Sequence, residues 1–115
     1  MEVMVMSLLT RQSRLVDSSI LTCPMTIIGA GGIGSFTALT LAKMGFEDIT
    51  VMDNDTVEEH NIPNQFYRYR DLGEPKVEAL ENILEEFTNT TIDYEPIRFE
   101  KDTLIESQGL WIMAV

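Results

Sequence analysis

Six consecutive residues, Gly29-Ala30-Gly31-Gly32-Ile33-Gly34, have the spacing G-x-G-x-x-G. They follow the apolar run Met25-Thr26-Ile27-Ile28 and open a stretch of helical character. Glycines so spaced meet three physical demands: a tight turn, bare backbone where a phosphate approaches, and close packing of helix on strand. The helix start then offers unpaired N–H groups and a partial positive charge, an anion site made of backbone. Asp53, nineteen residues after Gly34, closes a second β-rich run, Ile49-Thr50-Val51-Met52. A carboxylate there can accept hydrogen bonds from ribose hydroxyls. This chemistry is nucleotide binding, and it suits NAD as readily as ATP. A glycine turn kept for steric reasons alone, with Asp53 capping a strand end, is the competing reading.

The elements that position these residues are legible in the hydrophobic pattern. Residues 25–28 read as a buried strand, residues 33–44 as a helix stopped by Gly45, and residues 49–52 as a second strand. A polar stretch through Asn61, Pro63 and Asn64 leads to Gly73-Glu74-Pro75. From Lys76 to Phe87, Val77, Leu80, Ile83, Leu84 and Phe87 recur at three- and four-residue spacing. That spacing predicts an amphipathic helix with Glu78, Glu81 and Glu85 on its wet face. Thr91 to Phe99 alternates as a third strand, 102–108 is a predicted short helix, and 110–115 is a fully apolar fourth strand. The expected fold class is α/β, a Rossmann-like doubly wound, mainly parallel sheet with flanking helices. Residues 1–22 are expected to form an N-terminal helical arm, and 23–115 the N-terminal part of the nucleotide-binding domain. A central apolar strand needs a helix to cover it, so the sheet is expected to continue beyond the fourth strand in a longer protein.

Composition sets outer limits. The 115 residues carry 19 acidic and eight basic side chains, a net charge of −11. So acidic a surface repels a phosphate backbone, which argues against nucleic acid as partner. One cysteine excludes a disulfide framework and a four-cysteine zinc site. No apolar run reaches the roughly 18 residues that cross a bilayer, and the first residues lack the pattern of a secretory signal. A cytoplasmic location, without membrane attachment, is the expectation.

Further residues narrow the nucleotide chemistry. Leu41-Ala42-Lys43-Met44-Gly45, Asp53-Asn54-Asp55-Thr56-Val57, Asn61, Gln65 and Gly73-Glu74-Pro75-Lys76 follow the glycine turn in order. Together with that turn, over residues 25–87, they resemble the ThiF/MoeB/HesA family. Its members are E1-like enzymes, relatives of the ubiquitin-activating enzymes, that adenylate the C-terminal carboxylate of a ubiquitin-like sulfur carrier. The resemblance implies ATP with Mg2+ as cofactors and a glycine-ended carrier protein as partner, within a homodimer. It implies that Gly29, Gly31, Gly32 and Gly34 cradle the nucleotide, that Asp53 holds the ribose, and that Asp55 sits beside it. Asn61 and Gln65 would lie near the phosphates, and Lys76 would meet them as a compact cation. Arg11, in an Arg11-Gln12 pair like that of the family's arm, would reach the ATP of the partner subunit, with Arg14 as a substitute. The catalytic pair is thus Arg11 and Lys76.

Each of these positions has a structural rival: turn chemistry for Asp55 with Asn54, and a solvated helix start for Lys76. A lysine at a helix N-terminus opposes the macrodipole, which favours a functional reason. Two departures from the family stand out. Its loop reads N-x-x-R-Q, whereas here Asn64 replaces the arginine; Arg68 or Arg70 would have to compensate. Loss of a transition-state cation costs several kcal/mol. The family's metal-binding aspartate, catalytic cysteine and zinc cysteines find no match, so no metal ligand is assigned within the chain. Residues 1–115 alone are expected to hold part of a nucleotide without completing the reaction. Cys23 reads as a small packed residue and His60 as a surface one. Two other functions stay open: a non-catalytic family member that binds a nucleotide or a protein, and an NAD-dependent oxidoreductase domain. The second leaves Asp55, Asn61, Gln65 and Lys76 unexplained.

Overall fold

The computed structural model describes residues 18–98, 100 and 109–114. Among them, strands β1 (Met25–Ile28), β2 (Ile49–Met52), β3 (Asp93–Glu95) and β4 (Leu110–Met113) accompany two helices, α1 (Gly32–Met44) and α2 (Lys76–Thr88). The sheet runs β3-β2-β1-β4 with every pairing parallel. This is the α/β, Rossmann-like arrangement the sequence leads one to expect. In register, Ile27 of β1 lies between Val51 of β2 and Ile112 of β4. All four residues of β1 are buried, as a strand paired on both sides requires.

The two helices pack side by side over β1, β2 and β3. On α1 the buried residues are Gly34, Ser35, Ala38 and Ala42. Three of these recur every fourth position, so a stripe of small residues faces the sheet and α1 lies close upon it. Ile33, 71% exposed, and Phe36, also exposed, point away, while Leu39, Leu41 and Met44 are half-buried against the core. Gly45, at φ 104°, ends α1 by returning its N–H to Ala42 O at 3.1 Å, with Phe46 N–H on Leu41 O at 3.1 Å. On α2 the periodic residues Val77, Leu80, Ile83 and Leu84 are buried as predicted, while Phe87 is exposed.

Two strand expectations change. The third strand is Asp93–Glu95, not nine residues long. Pro96 follows and has no N–H to extend the ladder, so the chain leaves the sheet there. The fourth strand ends at Met113, and among the described residues it forms the sheet edge with Leu110 and Met113 exposed. Ser18–Thr22, the described part of the arm, is a 3-10 helix. Arg11, Arg14, the rest of the arm, and the predicted helix 102–108 lie outside the described residues. No helix among the described residues is long and apolar enough to cross a membrane.

Between β2 and α2 the chain folds back on itself. Val57 N–H meets Glu74 O at 2.8 Å, Gly73 N–H meets Val57 O at 2.9 Å, and Lys76 N–H meets Asp55 O at 2.9 Å. This short antiparallel contact fixes the start of α2 against the residues that follow Asp53.

Candidate functional site

The glycine turn leaves β1 at Gly29, whose φ of 102° only glycine adopts readily. Gly29 N–H is bound to Met52 O at 2.9 Å, which ties the turn to the end of β2. Gly34 is required for a different reason. A Cβ there would lie 1.7 Å from Gly29 O, so the first turn of α1 rests directly on the strand end. A Cβ on Gly32 would approach Asn64 O to 3.0 Å, whereas one on Gly31 would find only ordinary contact, the Gln65 amide at 3.6 Å. No side chain caps α1 at Gly31. Its first amides are therefore left for a ligand.

Asp53 joins two parts of the site. Its Oδ2 accepts from Ala30 N–H at 2.7 Å and its Oδ1 from Asp55 N–H at 2.7 Å. The structural role anticipated for it is real: one carboxylate holds the glycine turn and the turn that follows β2. A carboxylate has about four acceptor positions, so two remain for ribose hydroxyls. The described residues also shape a cavity of about 470 Å³ here, lined by Gly29, Asp53, Asn54 and Asp55 at the strand ends and by Ile97 and Arg98 beyond β3. Parallel sheets bind ligands at this edge.

Arg98 is the site residue that sequence reasoning missed. Taken as part of a nine-residue strand it has no place near the nucleotide. Because β3 ends before Pro96, Arg98 reaches the carboxyl edge of the sheet and becomes a cation on the wall of the cavity. Pro96 was the available signal.

Lys76, the first residue of α2, is buried, its side chain 8% exposed, with Nζ 3.9 Å from Asp55 Oδ2. Asp55 is open to solvent at 66%. A buried ammonium beside one loosely held, exposed carboxylate is incompletely paired, and burial of such a charge is costly. An anionic ligand would complete it.

The loop of residues 61–65 lies on the glycine turn. Asn61 is buried, and its Oδ1 accepts from Glu58 N–H at 2.8 Å while its carbonyl accepts from Gln65 N–H at 2.9 Å. Its amide oxygen thus shapes the loop. Gln65 lies over Gly31, and its buried Oε1 has no hydrogen-bond partner. A buried acceptor left without a donor is costly. Open glycines, an uncapped helix and an underpaired lysine together fit a phosphorylated nucleotide.

Asn64 is exposed and meets the turn through its backbone oxygen. Both arginines offered as its substitute are paired within the chain. Arg68 grips Asp71 through Nε at 3.0 Å and Nη2 at 2.9 Å, and Glu86 through Nη1 at 2.6 Å. Arg70 Nη2 is 2.8 Å from the same Glu86. Both point to α2. His60 makes an exposed pair with Glu58 at 3.3 Å, and Cys23 is half-buried. No group of three or more His, Cys, Asp or Glu side chains among the described residues is arranged to hold a metal.

Comparison with known proteins bears on this geometry. The profile of the ThiF family matches residues 7–107. The NEDD8-activating enzyme E1 catalytic subunit of Arabidopsis thaliana is 32% identical over 123 aligned residues, covering 90% of this chain and 27% of that protein. The adenylyltransferase and sulfurtransferase uba4 of Emericella nidulans is 40% identical over 76 residues, 65% of this chain and 15% of its own length. The crystal structure of E. coli MccB with ATP matches at a TM-score of 0.66 and 25% identity, over 70% of this chain and 25% of that one. This chain therefore spans 27% or less of each of these relatives.

Proposed function

The chain belongs to the ThiF family, and from that membership we propose that it forms the ATP-binding part of an E1-like adenylyltransferase. Its substrate is the C-terminal carboxylate of a ubiquitin-like or sulfur-carrier protein. A carboxylate oxygen attacks the α-phosphorus of ATP, the bond from that phosphorus to the α–β bridging oxygen breaks, and pyrophosphate leaves with its charge. The products are an acyl-adenylate and pyrophosphate.

Positioning and charge neutralisation carry most of such a reaction. The α1 amides at Gly31 and Gly32 receive phosphate oxygens, and Asp53 holds the ribose. Gln65 Nε2 donates across the mouth of the turn, adding a hydrogen bond without adding charge. Lys76 exchanges Asp55 for the triphosphate, whose Mg2+ arrives with the nucleotide. Asp55 is left beside the ribose. Arg11, from the arm of a second subunit, completes the charge balance in a homodimer. The observation that carries this reading is the buried, underpaired Lys76, whose partner Asp55 lines the cavity. MccB, a solved relative, binds ATP in its crystals.

Calorimetric titration of this chain with ATP-Mg2+ and with NAD, in parallel, tests the reading. ATP is expected to bind, at least about tenfold more weakly after Lys76→Ala, a loss matching one charge-assisted contact. NAD is expected not to bind. Binding of NAD in place of ATP would replace this reading with an oxidoreductase domain.

One observation favours a second reading, a family member that binds nucleotide without turning it over. Asn64 takes the place of the family's arginine, and Arg68 and Arg70 are both engaged elsewhere. Asn64→Arg separates the two readings. Tighter ATP binding with a gain in pyrophosphate exchange marks a slowed enzyme, and tighter binding without exchange marks a binding module.

A further inference from the structure

Tyr67 entered neither the sequence reading nor the family resemblance, yet it is a buried polar group in contact with the glycine turn. Its hydroxyl donates to the carbonyl oxygen of Ala30. We propose that Tyr67 is a positioning residue: by holding that carbonyl it aims the N–H of Gly31 at the bound phosphate. The inference rests on the nucleotide reading and adds to it a residue outside the family's motif.

The argument begins with peptide geometry. The C=O of Ala30 and the N–H of Gly31 belong to one planar trans unit and point in opposite directions. Whatever draws the carbonyl toward Tyr67 in the core therefore turns the Gly31 amide outward. The preceding peptide is held too, since Ala30 N–H is bound to Asp53 Oδ2 at 2.7 Å. Glycines flank Ala30 on both sides, and their backbones rotate more freely than any others. Without anchors at Ala30 the turn would populate many orientations, and binding would bear the cost of ordering it.

The surroundings keep the anchor in its donor form. Burial, and then the charges of Asp53 and Asp71, push the Tyr67 hydroxyl far above the usual phenol range. It stays protonated wherever the protein is folded. Only the peptide orientation needs this hydroxyl; the ring alone would fill the core equally well as phenylalanine.

The test is Tyr67→Phe in the whole chain, with two readouts. Backbone 15N relaxation on the ligand-free protein reports the order of Ala30, Gly31 and Gly32. Calorimetry compares ATP-Mg2+ with adenosine, which lacks the phosphates. Order parameters at Gly31 are expected to fall from about 0.85 toward about 0.6. ATP should bind about tenfold more weakly, as for one lost hydrogen bond of preorganisation, with adenosine unchanged. Ile83→Val, a conservative cavity in the core of α2, serves as control for general loosening and should leave the ATP-to-adenosine ratio alone. An unchanged order parameter in Tyr67→Phe overturns the proposal, as does equal weakening of ATP and adenosine. If the unmodified chain binds neither ligand, the nucleotide reading fails, and the relaxation data alone decide whether Tyr67 orders the turn.

Discussion

The carboxylate of Asp71 meets the guanidinium of Arg68 side-on, Oδ1 to Nη2 at 2.9 Å and Oδ2 to Nε at 3.0 Å, and accepts from the Arg68 backbone N–H at 2.8 Å. This doubly bonded pair closes the strap between β2 and α2, three residues after the orphaned Gln65. It also occupies the Arg68 guanidinium, which Glu86 completes.

The pair has a definite pH signature. Burial of Asp71 favours its neutral form, but the hydrogen bonds and charge of Arg68, with Arg70 behind them, outweigh that and hold its carboxyl below the usual carboxylate range. A group with a depressed folded-state pKa contributes stability above its unfolded value of about 3.8, lost as pH falls through the folded value. Asp71→Asn is therefore expected to cost about 2 kcal/mol at pH 7 and progressively less below pH 4. Urea unfolding at several pH values measures it; a cost independent of pH would refute the assignment.

Glu81 has the opposite sign. Half-burial on α2, followed by the charges of Glu85, Glu78 and Asp93, raises its carboxyl above the ordinary value of 4.5. The ionised form is penalised in the folded state, so stability is lost as pH rises through the raised value and is untouched below the unfolded one. Glu81→Gln should raise the urea midpoint at pH 7 and leave it unchanged near pH 4. A drop in the midpoint at pH 7 would show that the carboxylate makes a favourable contact instead.

The glycines of the turn should separate by function. Gly34→Ala places a methyl 1.7 Å from Gly29 O, so helix and strand must part. A loss of about 3 kcal/mol or more, or failure to fold, is expected. Gly31→Ala meets only the Gln65 amide at 3.6 Å. It should fold with a smaller loss of stability while ATP affinity drops at least about tenfold, since the methyl stands where phosphate approaches. Thermal melts paired with calorimetry distinguish them, and equal stability loss in both variants would contradict the geometry.

Arg98 lines the same cavity as Asp53 and, among the described residues, makes no ion pair. Arg98→Ala should leave the melting temperature unchanged and weaken ATP several-fold, consistent with a partly solvated cation worth about 1 kcal/mol. A lowered melting temperature with unchanged ATP affinity would make it a structural residue of the β3 edge.

Sequence alone determined the features that depend on neighbours along the chain. The β1–turn–α1–β2 unit was legible because glycine spacing, a short apolar run and a carboxylate at a strand end are local signals. The start of α2 was legible from Gly73-Glu74-Pro75 and the three- and four-residue spacing after it. Asp53 followed from its place at a strand end, and Lys76 from the resemblance to the ThiF/MoeB/HesA family. Tertiary structure decided everything that required knowing which surfaces meet. It set the small residues Gly34, Ser35, Ala38 and Ala42 of α1 in the interior, where the helix lies close upon the strands. It committed Arg68 and Arg70 to Asp71 and Glu86 rather than to phosphate, since α2 packs beside them. By ending β3 at Glu95 it carried Arg98 to the cavity, and it set Tyr67 beneath Ala30, 37 residues away in sequence. Periodicity and propensity record how a segment hydrogen-bonds to itself and which side is apolar. They hold no record of the distance between side chains that the fold brings together, and the orientation of a single peptide in the glycine turn depends on that distance.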